Sequence, residues 1–384
     1  MKPDFPTRVK RVSAFSVIFV HTARMPAFAH LHRASLTFVW IFTLLAFVGG
    51  NGCAFALEAA SMKAAAEYSA ARRGTALLII QNGKTIFESY PGNHAAQEAH
   101  RIYSGTKGFW VLAALAAEAD GILKLDERVA ATIDEWRSDD RKKHITIRQL
   151  LDFTSGLEPM SLLHGDTVPD RDAVALRLAV VATPGERFIY GPASLQVFHE
   201  LFHRKLASSG ETPINYLERK VLKPIGLGPQ EYKRDRAGNP LLAAGFRLTA
   251  EQWSRMGRLI LSSGAPVVSQ RSLSQCLRGT TANPAFGMGF WNNRSAGPNA
   301  REFDIEDMLE RDWWQQEWRD ACLCRDAPAD TIASVGSGYQ RLIVISSMNL
   351  IIVRLGQNAR FSDGEFLRIL LGTRSLAKEN VGTR

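Results

Sequence analysis

Apolar residues cluster in strand-like runs at both ends of the chain beyond residue 56. Apolar residues dominate 75–80 and 85–89, and the Asn82-Gly83 pair between them favours a tight hairpin turn. Residues 341–346 and 350–355 form a second pair of apolar runs, separated by Ser-Met-Asn. We predict two strand pairs, one near each end of the chain.

Helical patterns fill most of the sequence between these strands. The stretch 104–119 is apolar almost all round and ends at Asp120-Gly121, which is typical of a helix buried between two layers. Residues 122–240 contain no convincing strand pair. The other predicted helices are 59–73, 147–153, 194–206, 214–221, 250–262 and 364–371.

This order of elements predicts an α/β (α+β) fold. Strands at both ends with helices between them indicate an antiparallel sheet built from the N- and C-terminal segments and flanked by helices, with an all-helical domain inserted into it. We expect 57–98 and 241–384 to form the α/β domain and 99–240 to form the helical domain. The active site is expected in the cleft between them.

The N-terminal 56 residues have the pattern of a secretory signal. Residues 36–48 are a 13-residue apolar run, preceded by Arg33 and followed by Ala54-Phe55-Ala56. The alternative is a membrane anchor, but a helix needs about 20 apolar residues to span a bilayer. We predict cleavage after Ala56, no membrane span afterwards, and a periplasmic or secreted protein. The true start could be Met25.

The charge balance argues against nucleic acid as a partner. The whole chain has a formal net charge of +9, and 41 basic and 37 acidic residues lie beyond residue 56. This small excess is spread along the chain, and no arginine-rich or aromatic-interleaved motif is present.

Cysteine and histidine spacing predicts neither a metal site nor a cofactor. Cys276, Cys322 and Cys324 remain after processing, and a disulfide from Cys276 to either of the others is expected in an oxidising compartment. His199 and His203 lie one helical turn apart without an acidic partner motif, so we interpret them as helix-surface residues.

Ser104 and Lys107 are candidates for nucleophilic catalysis. Positions i and i+3 share one helix face about 5–6 Å apart, so Lys107 can reach the Ser104 hydroxyl. A lysine acts as a base only where burial or neighbouring charge lowers its pKa, and the apolar helix is suited to this. Gly105 is expected to leave room for a substrate carbonyl. The alternative is a serine N-cap followed by a solvent-facing lysine.

Four segments in order resemble the serine beta-lactamase and penicillin-binding-protein superfamily. The likeness is to its class C-like branch, which also contains carboxylesterases, D-aminopeptidases and amide hydrolases, and it extends from about residue 60 to about residue 370. It implies that Ser104 is the acylated nucleophile, Lys107 its proton acceptor and Tyr190 the tyrosine of the second motif. The segments are SGTK (104–107), DGILKLDERV (120–129), ITIRQLLDFTSGL (145–157) and PGERFIYGP (184–192).

The chain departs from the family at two motifs. Pro192 stands where the second motif, Tyr-x-Asn, has its asparagine, so the side-chain amide is missing. The third motif of the family reads Lys or His, then Thr or Ser, then Gly. Its best positional match here is Ser334, Val335 and Gly336, so the cationic side chain of the motif is missing. By the same alignment, the backbone N–H groups of Ser104 and Ser337 would form the oxyanion hole.

The missing anchors favour a small ester or amide as substrate. Trp313, Trp314 and Trp318 precede the third motif and either line an acyl pocket or pack in the core. Residues 160–170 are a candidate loop over the cleft. We predict a serine hydrolase that forms an acyl-enzyme. A beta-lactamase or DD-peptidase and a non-catalytic binding domain on the same fold are the alternatives.

Overall fold

The computed structural model describes residues 57–357 and 359–373. The predicted signal segment, its cleavage site and Met25 lie outside the described residues. None of the helices in these two ranges is both long enough and apolar enough to cross a bilayer.

Strands from both ends of the described chain share one sheet. Its strand order is β2-β1-β10-β9-β8-β5, with every neighbouring pair antiparallel, while β3 and β4 form an antiparallel pair and β6 and β7 a parallel pair. The strands in the described ranges are β1 (Gly74–Gln81), β2 (Lys84–Ser89), β3 (His100–Arg101), β4 (Arg247–Leu248), β5 (Trp291–Asn292), β6 (Arg301–Glu302), β7 (Ala321–Cys322), β8 (Thr331–Gly336), β9 (Gln340–Ile345) and β10 (Leu350–Gly356).

The local sequence explains the centre of this sheet. Asn82 and Gly83 have φ angles of 52° and 76°, as a type I′ turn requires, and they connect β1 to β2. In β1, Ile79 is paired with Ile352 of β10, and both are buried. Every residue of β1 and β9 is buried, in agreement with the continuous apolar runs at 76–80 and 342–345 within them. The predicted strand pairs and the sheet built from both ends are confirmed.

Helices account for the regular structure between β3 and β4. The first and last helices, α1 and α10, pack against each other, and α7 packs against β9 and β10. The helices in the described ranges are α1 (Ala59–Ala70), α2 (Lys107–Ala119), α3 (Ile147–Leu151), α4 (Arg171–Arg177), α5 (Ala193–Leu206), α6 (Pro213–Leu217), α7 (Ala250–Leu261), α8 (Gln270–Cys276), α9 (Ile305–Glu310) and α10 (Asp363–Leu371). The predicted fold class is confirmed. The domain boundaries at 98 and 241 stay a prediction.

Helix α2 is the most deeply buried helix around the site. All residues from Lys107 to Ala117 are buried, in agreement with their apolar pattern. Helix α7 begins with a capping box, in which Thr249 and Gln252 satisfy each other's backbone N–H groups. Its Gly257 lies so close to β10 that a Cβ atom there would be 2.7 Å from Ile351 Cγ2. This close packing fixes α7 on the sheet.

The predicted disulfide is wrong. Cys276, Cys322 and Cys324 are all free and buried. The thiol of Cys276 donates to the carbonyl of Met288 at 3.2 Å, and that of Cys324 lies 3.6 Å from the carbonyl of Gly364. These two thiols are therefore held by separate backbone carbonyls.

The surface interpretation is also wrong for His199. This residue is only 7% exposed, and its Nδ1 lies 2.6 Å from Asp172 Oδ2. The other Asp172 oxygen accepts a hydrogen bond from Gln196 Nε2 at 2.6 Å. His203 does lie on the surface, beside Glu200. Local spacing could not reveal a buried partner on another helix.

Candidate active site

Ser104 lies on a tight turn that leads into α2. Residues Tyr103–Thr106 form a 3-10 turn, and Tyr103, directly before the serine, has a φ of 45°. A left-handed conformation costs energy for a residue with a side chain, and such strain is common at functional sites. The N-cap alternative is wrong, because Thr106 occupies the cap position and no side chain caps the helix.

Lys107 points its amine at the Ser104 hydroxyl. Nζ lies 2.7 Å from Ser104 Oγ and donates to the carbonyl of Ala243 at 2.9 Å. The lysine is only 2% exposed, and burial lowers its pKa from 10.5 to about 7. A solvent-facing Lys107 is therefore excluded, and a large fraction of the amine is neutral near pH 7.

Tyr190 completes this cluster. The Lys107 Nζ lies 4.7 Å from the centre of the Tyr190 ring, and the Tyr190 phenol interacts electrostatically with the Ser104 side chain. Burial raises the pKa of Tyr190, the interaction with Ser104 lowers it in part, and the charge of Glu306 raises it further. The ring also contacts Phe153, with centroids 4.9 Å apart. The structure thus brings together the three side chains that the sequence singled out.

The third-motif position lies beside the serine turn. A Cβ atom on Gly336 would be 1.9 Å from the carbonyl oxygen of Ile102, so only glycine allows β8 to approach this closely. Ser334 Oγ lies 3.5 Å from the carbonyl of Gly105. Ser337 follows β8 and is exposed. An oxyanion hole from the Ser104 and Ser337 N–H groups stays a prediction.

Gly105 has a different role from the one expected. A Cβ atom at this position would lie 2.6 Å from Cζ2 of Trp253 and 3.3 Å from Cδ1 of Ile102. The missing side chain therefore makes room for the buried Trp253 ring of α7. The expectation that it makes room for a substrate carbonyl is not supported.

Glu306 holds the turn that follows β8, and sequence analysis missed it. Its carboxylate accepts hydrogen bonds from the backbone N–H groups of Gly338, at 2.9 Å, and Tyr339, at 2.6 Å. Arg341 donates to the same carboxylate at 3.2 Å and forms a two-pronged ion pair with Asp363 at 2.7 and 3.0 Å. Ser337 immediately precedes the two residues that Glu306 holds, so this contact restricts the backbone next to the predicted oxyanion donor.

The loop at residues 160–170 brings His164 near Lys107. Desolvation by surrounding atoms, followed by the charge of Lys107, lowers the pKa of His164, although the residue remains exposed to solvent. Arg171 donates to the carbonyls of Leu163 and Gly165, at 2.8 and 2.7 Å. A neutral imidazole on an anchored loop therefore lies within electrostatic reach of the amine. Only an indirect sequence signal, one histidine in a candidate cleft loop, pointed to it.

The three tryptophans do not share one environment. Trp318 is buried against Phe188 and Trp291, with centroid distances of 5.4 and 5.3 Å, so it belongs to the aromatic core. Trp313 and Trp314 pack edge to face with each other, and Trp314 is 59% exposed. The alternative of core packing therefore describes Trp318. A pocket-wall role for the other two stays a prediction.

Comparisons with known structures agree with this architecture. The class C beta lactamase from Rhodobacter sphaeroides is 17% identical with a TM-score of 0.59, covering 82% of this chain and 99% of that one. The D-stereospecific amidohydrolase from Streptomyces sp. is 14% identical with a TM-score of 0.57, covering 83% and 99%. A family VIII carboxylesterase is 14% identical with a TM-score of 0.56, covering 81% and 95%. These likenesses show the fold.

Sequence comparison identifies the family. No curated protein sequence matches the chain. Residues 56–355 match the family described as Beta-lactamase, and the family and the structural neighbours above are hydrolases. Because this match covers well over half of the chain, the protein belongs to the Beta-lactamase family.

Proposed function

We propose that the protein is a secreted or periplasmic serine hydrolase that cleaves a small ester or amide through an acyl-enzyme. The observation that carries this proposal is the 2.7 Å contact between Ser104 Oγ and the buried Lys107 amine, whose pKa is lowered to about 7. A serine becomes a useful nucleophile when a positioned base takes its proton. The neutral form of Lys107 is such a base.

Acylation would proceed in balanced steps. Ser104 Oγ attacks the acyl carbon while its proton moves to Lys107 Nζ, and the carbonyl oxygen becomes an oxyanion beside the predicted N–H groups of Ser104 and Ser337. Each such donor is worth about 3–4 kcal/mol in other enzymes. When the bond to the leaving group breaks, the ammonium of Lys107 returns the proton to the departing oxygen or nitrogen.

Deacylation would use the same groups with water as the nucleophile. Because burial raises the pKa of Tyr190, its phenol stays protonated at neutral pH. It can pass a proton between Ser104, Lys107 and the attacking water without carrying a charge. Water adds to the acyl carbon, Ser104 leaves with a proton, and the free carboxylic acid is released.

The substrate class follows from what lies at the second and third motifs. Pro192 precedes α5 and offers no amide, and Ser334, 1% exposed, replaces the cation. Arg341 is buried and already paired with Asp363 and Glu306. A substrate that needs a cationic anchor for its carboxylate is therefore disfavoured, which argues for a neutral ester or amide over a penicillin or a D-Ala-D-Ala peptide.

Covalent labelling tests this proposal. A fluorophosphonate probe should modify the purified protein at Ser104, and p-nitrophenyl acetate should be turned over. Ser104→Ala should abolish both, whereas Ser274→Ala, at an exposed position on α8, should change neither. Unchanged turnover by Ser104→Ala would disprove the proposal. Rapid acylation of Ser104 by a fluorescent penicillin would instead favour a beta-lactamase or DD-peptidase.

A further inference from the structure

Three potential metal ligands converge in the loop between β2 and β3. His94 Nδ1 lies 2.7 Å from Glu98 Oε2, and His100 Nε2 lies 3.6 Å from Glu98 Oε1. One donor atom from each of the three side chains can be chosen so that all lie within 4.8 Å of one another. The centroids of the His94 and His100 rings lie 5.7 Å apart, and the ring planes are tilted by 60°.

The donor set indicates which ions would bind. Two imidazoles and one carboxylate suit Zn²⁺ and similar first-row transition metals, which accept nitrogen ligands readily. Ca²⁺ and Mg²⁺ prefer oxygen ligands and would gain only one here. Zn²⁺ sites with three protein ligands keep a water in the fourth position, and the partial exposure of His94 and Glu98 leaves room for one.

Side-chain rotations are needed to bring the three donor atoms to the spacing of a tetrahedral site. Metal–ligand bonds of about 2.0–2.1 Å at tetrahedral angles place neighbouring ligand atoms about 3.4 Å apart. The two imidazoles contact different oxygens of Glu98, at 2.7 and 3.6 Å, and one donor atom from each residue lies within 4.8 Å of the other two. The side chains of His94 and Glu98 are 30% and 42% exposed, so small rotations can open the shorter contact.

The surrounding backbone holds the cluster in place. His100 begins β3 and is paired with Leu248 of β4, while Arg247 donates to the carbonyl of Ala99 at 3.0 Å. The N–H of Glu98 donates to the carbonyl of Ala95, which folds the loop so that residues 94 and 98 meet. One ligand is therefore fixed on a strand and the other two lie on a loop folded back towards it.

We propose that His94, Glu98 and His100 form a binding site for Zn²⁺, or a transition metal of the same type, with water as the fourth ligand. The ion ties the loop to β3, the strand that leads into the Tyr103–Thr106 turn. This site does not depend on the hydrolase chemistry proposed for Ser104. Local sequence patterns did not point to this site, because His94 and Glu98 are four residues apart in a loop and not on a helix.

Isothermal titration calorimetry tests the site: ZnCl₂ is titrated into the metal-free protein in a non-chelating buffer. One ion should bind saturably per chain, and Co²⁺ should give the visible absorption bands of a tetrahedral site. Loss of a residue that hydrogen-bonds to a metal ligand typically lowers the metal affinity about 10- to 100-fold. Loss of a direct ligand should therefore lower the affinity at least as much. We expect this for His94→Ala and for Glu98→Gln.

A matched control uses a histidine and glutamate pair that, among the described residues, has no third donor atom within 4.8 Å of both. His203 lies 3.7 Å from Glu200 on the surface of α5, and His203→Ala should leave the affinity unchanged. Both His94→Ala and His203→Ala replace partly exposed side chains, so circular dichroism should show folded protein in each case. Absence of saturable binding would overturn the proposal. Binding that survives both His94→Ala and Glu98→Gln would do the same, because it would reveal adventitious surface metal only.

Discussion

Replacing Lys107 with arginine tests the proposed base directly. Burial lowers the pKa of Lys107 from 10.5 to about 7. At about 1.4 kcal/mol per pKa unit, the free energy of protonating the amine becomes less favourable by about 5 kcal/mol. At pH 7 about half of the amine is then neutral, compared with about 3 in 10,000 for an ordinary lysine. A guanidinium keeps its proton throughout this range, so Lys107→Arg retains the positive charge and removes the base.

The expected loss is large and has a characteristic pH dependence. General base catalysis contributes about 10²- to 10⁴-fold, and kcat/KM of Lys107→Arg should fall by that factor. In the unmodified protein, protonation removes the base, so kcat/KM should fall as pH decreases through about 7 and level off above it. The pKa of His164 is lowered, so we expect its imidazole to titrate below this transition.

The assay is hydrolysis of p-nitrophenyl acetate from about pH 5 to about pH 9, corrected for spontaneous hydrolysis. Lys142 supplies a matched control, since it is also buried and its Nζ donates to the carbonyl of Leu176 at 2.9 Å. Lys142→Arg should retain the rate and the pH profile. If Lys107→Arg kept the same rise near pH 7 at a similar rate, the assignment of Lys107 as the base would be refuted.

Three further substitutions probe the supports of the site. Glu306→Ala removes the acceptor of two charge-assisted backbone hydrogen bonds, each worth about 1.5–3 kcal/mol. We expect kcat to fall about tenfold or more with little change in KM. The control Glu310→Ala, at an exposed position on the same helix, should leave the steady-state kinetics unchanged. Equal kcat values for the two variants would contradict this. Gly336→Ala would place a Cβ atom 1.9 Å from the Ile102 carbonyl oxygen, so the activity and the urea midpoint of unfolding should both decrease. Native values of both would show that the close approach of β8 to Ile102 is unnecessary. Asp172→Ala removes the carboxylate that pairs with buried His199 Nδ1, while Gln196 Nε2 keeps its hydrogen bond to the Pro240 carbonyl. The free energy of unfolding in urea titrations should fall by about 1–3 kcal/mol, and an unchanged value would mean that His199 finds another partner.

The parts of the fold that follow from local patterns could be predicted from the sequence. The hairpin at Asn82-Gly83, the all-round apolar helix α2 and the strands β9 and β10 each carry a strong short-range signal. The contact between Ser104 and Lys107 also follows from spacing, because both lie within one turn of the chain.

Long-range contacts could not be predicted in this way. The carbonyl of Ala243 reaches Lys107 across 136 residues, and Glu306 holds a turn more than 30 residues away. Strand β8 escaped detection because its sequence, TIASVG, mixes small and polar residues that are all buried. Cys276 illustrates the same limit, since its partner is the backbone carbonyl of Met288, which no cysteine count could reveal.

The pairing of β1 with β10 has a consequence for biosynthesis. Leu78 must find Val353 across most of the described chain, so the middle of the sheet cannot assemble until the ribosome has released the residues up to the end of β10. Until then the apolar strand β1 offers an open edge to other chains. A nascent or truncated product that stops before β10 should therefore aggregate or require a chaperone, and premature stop codons late in the reading frame should be as harmful as early ones.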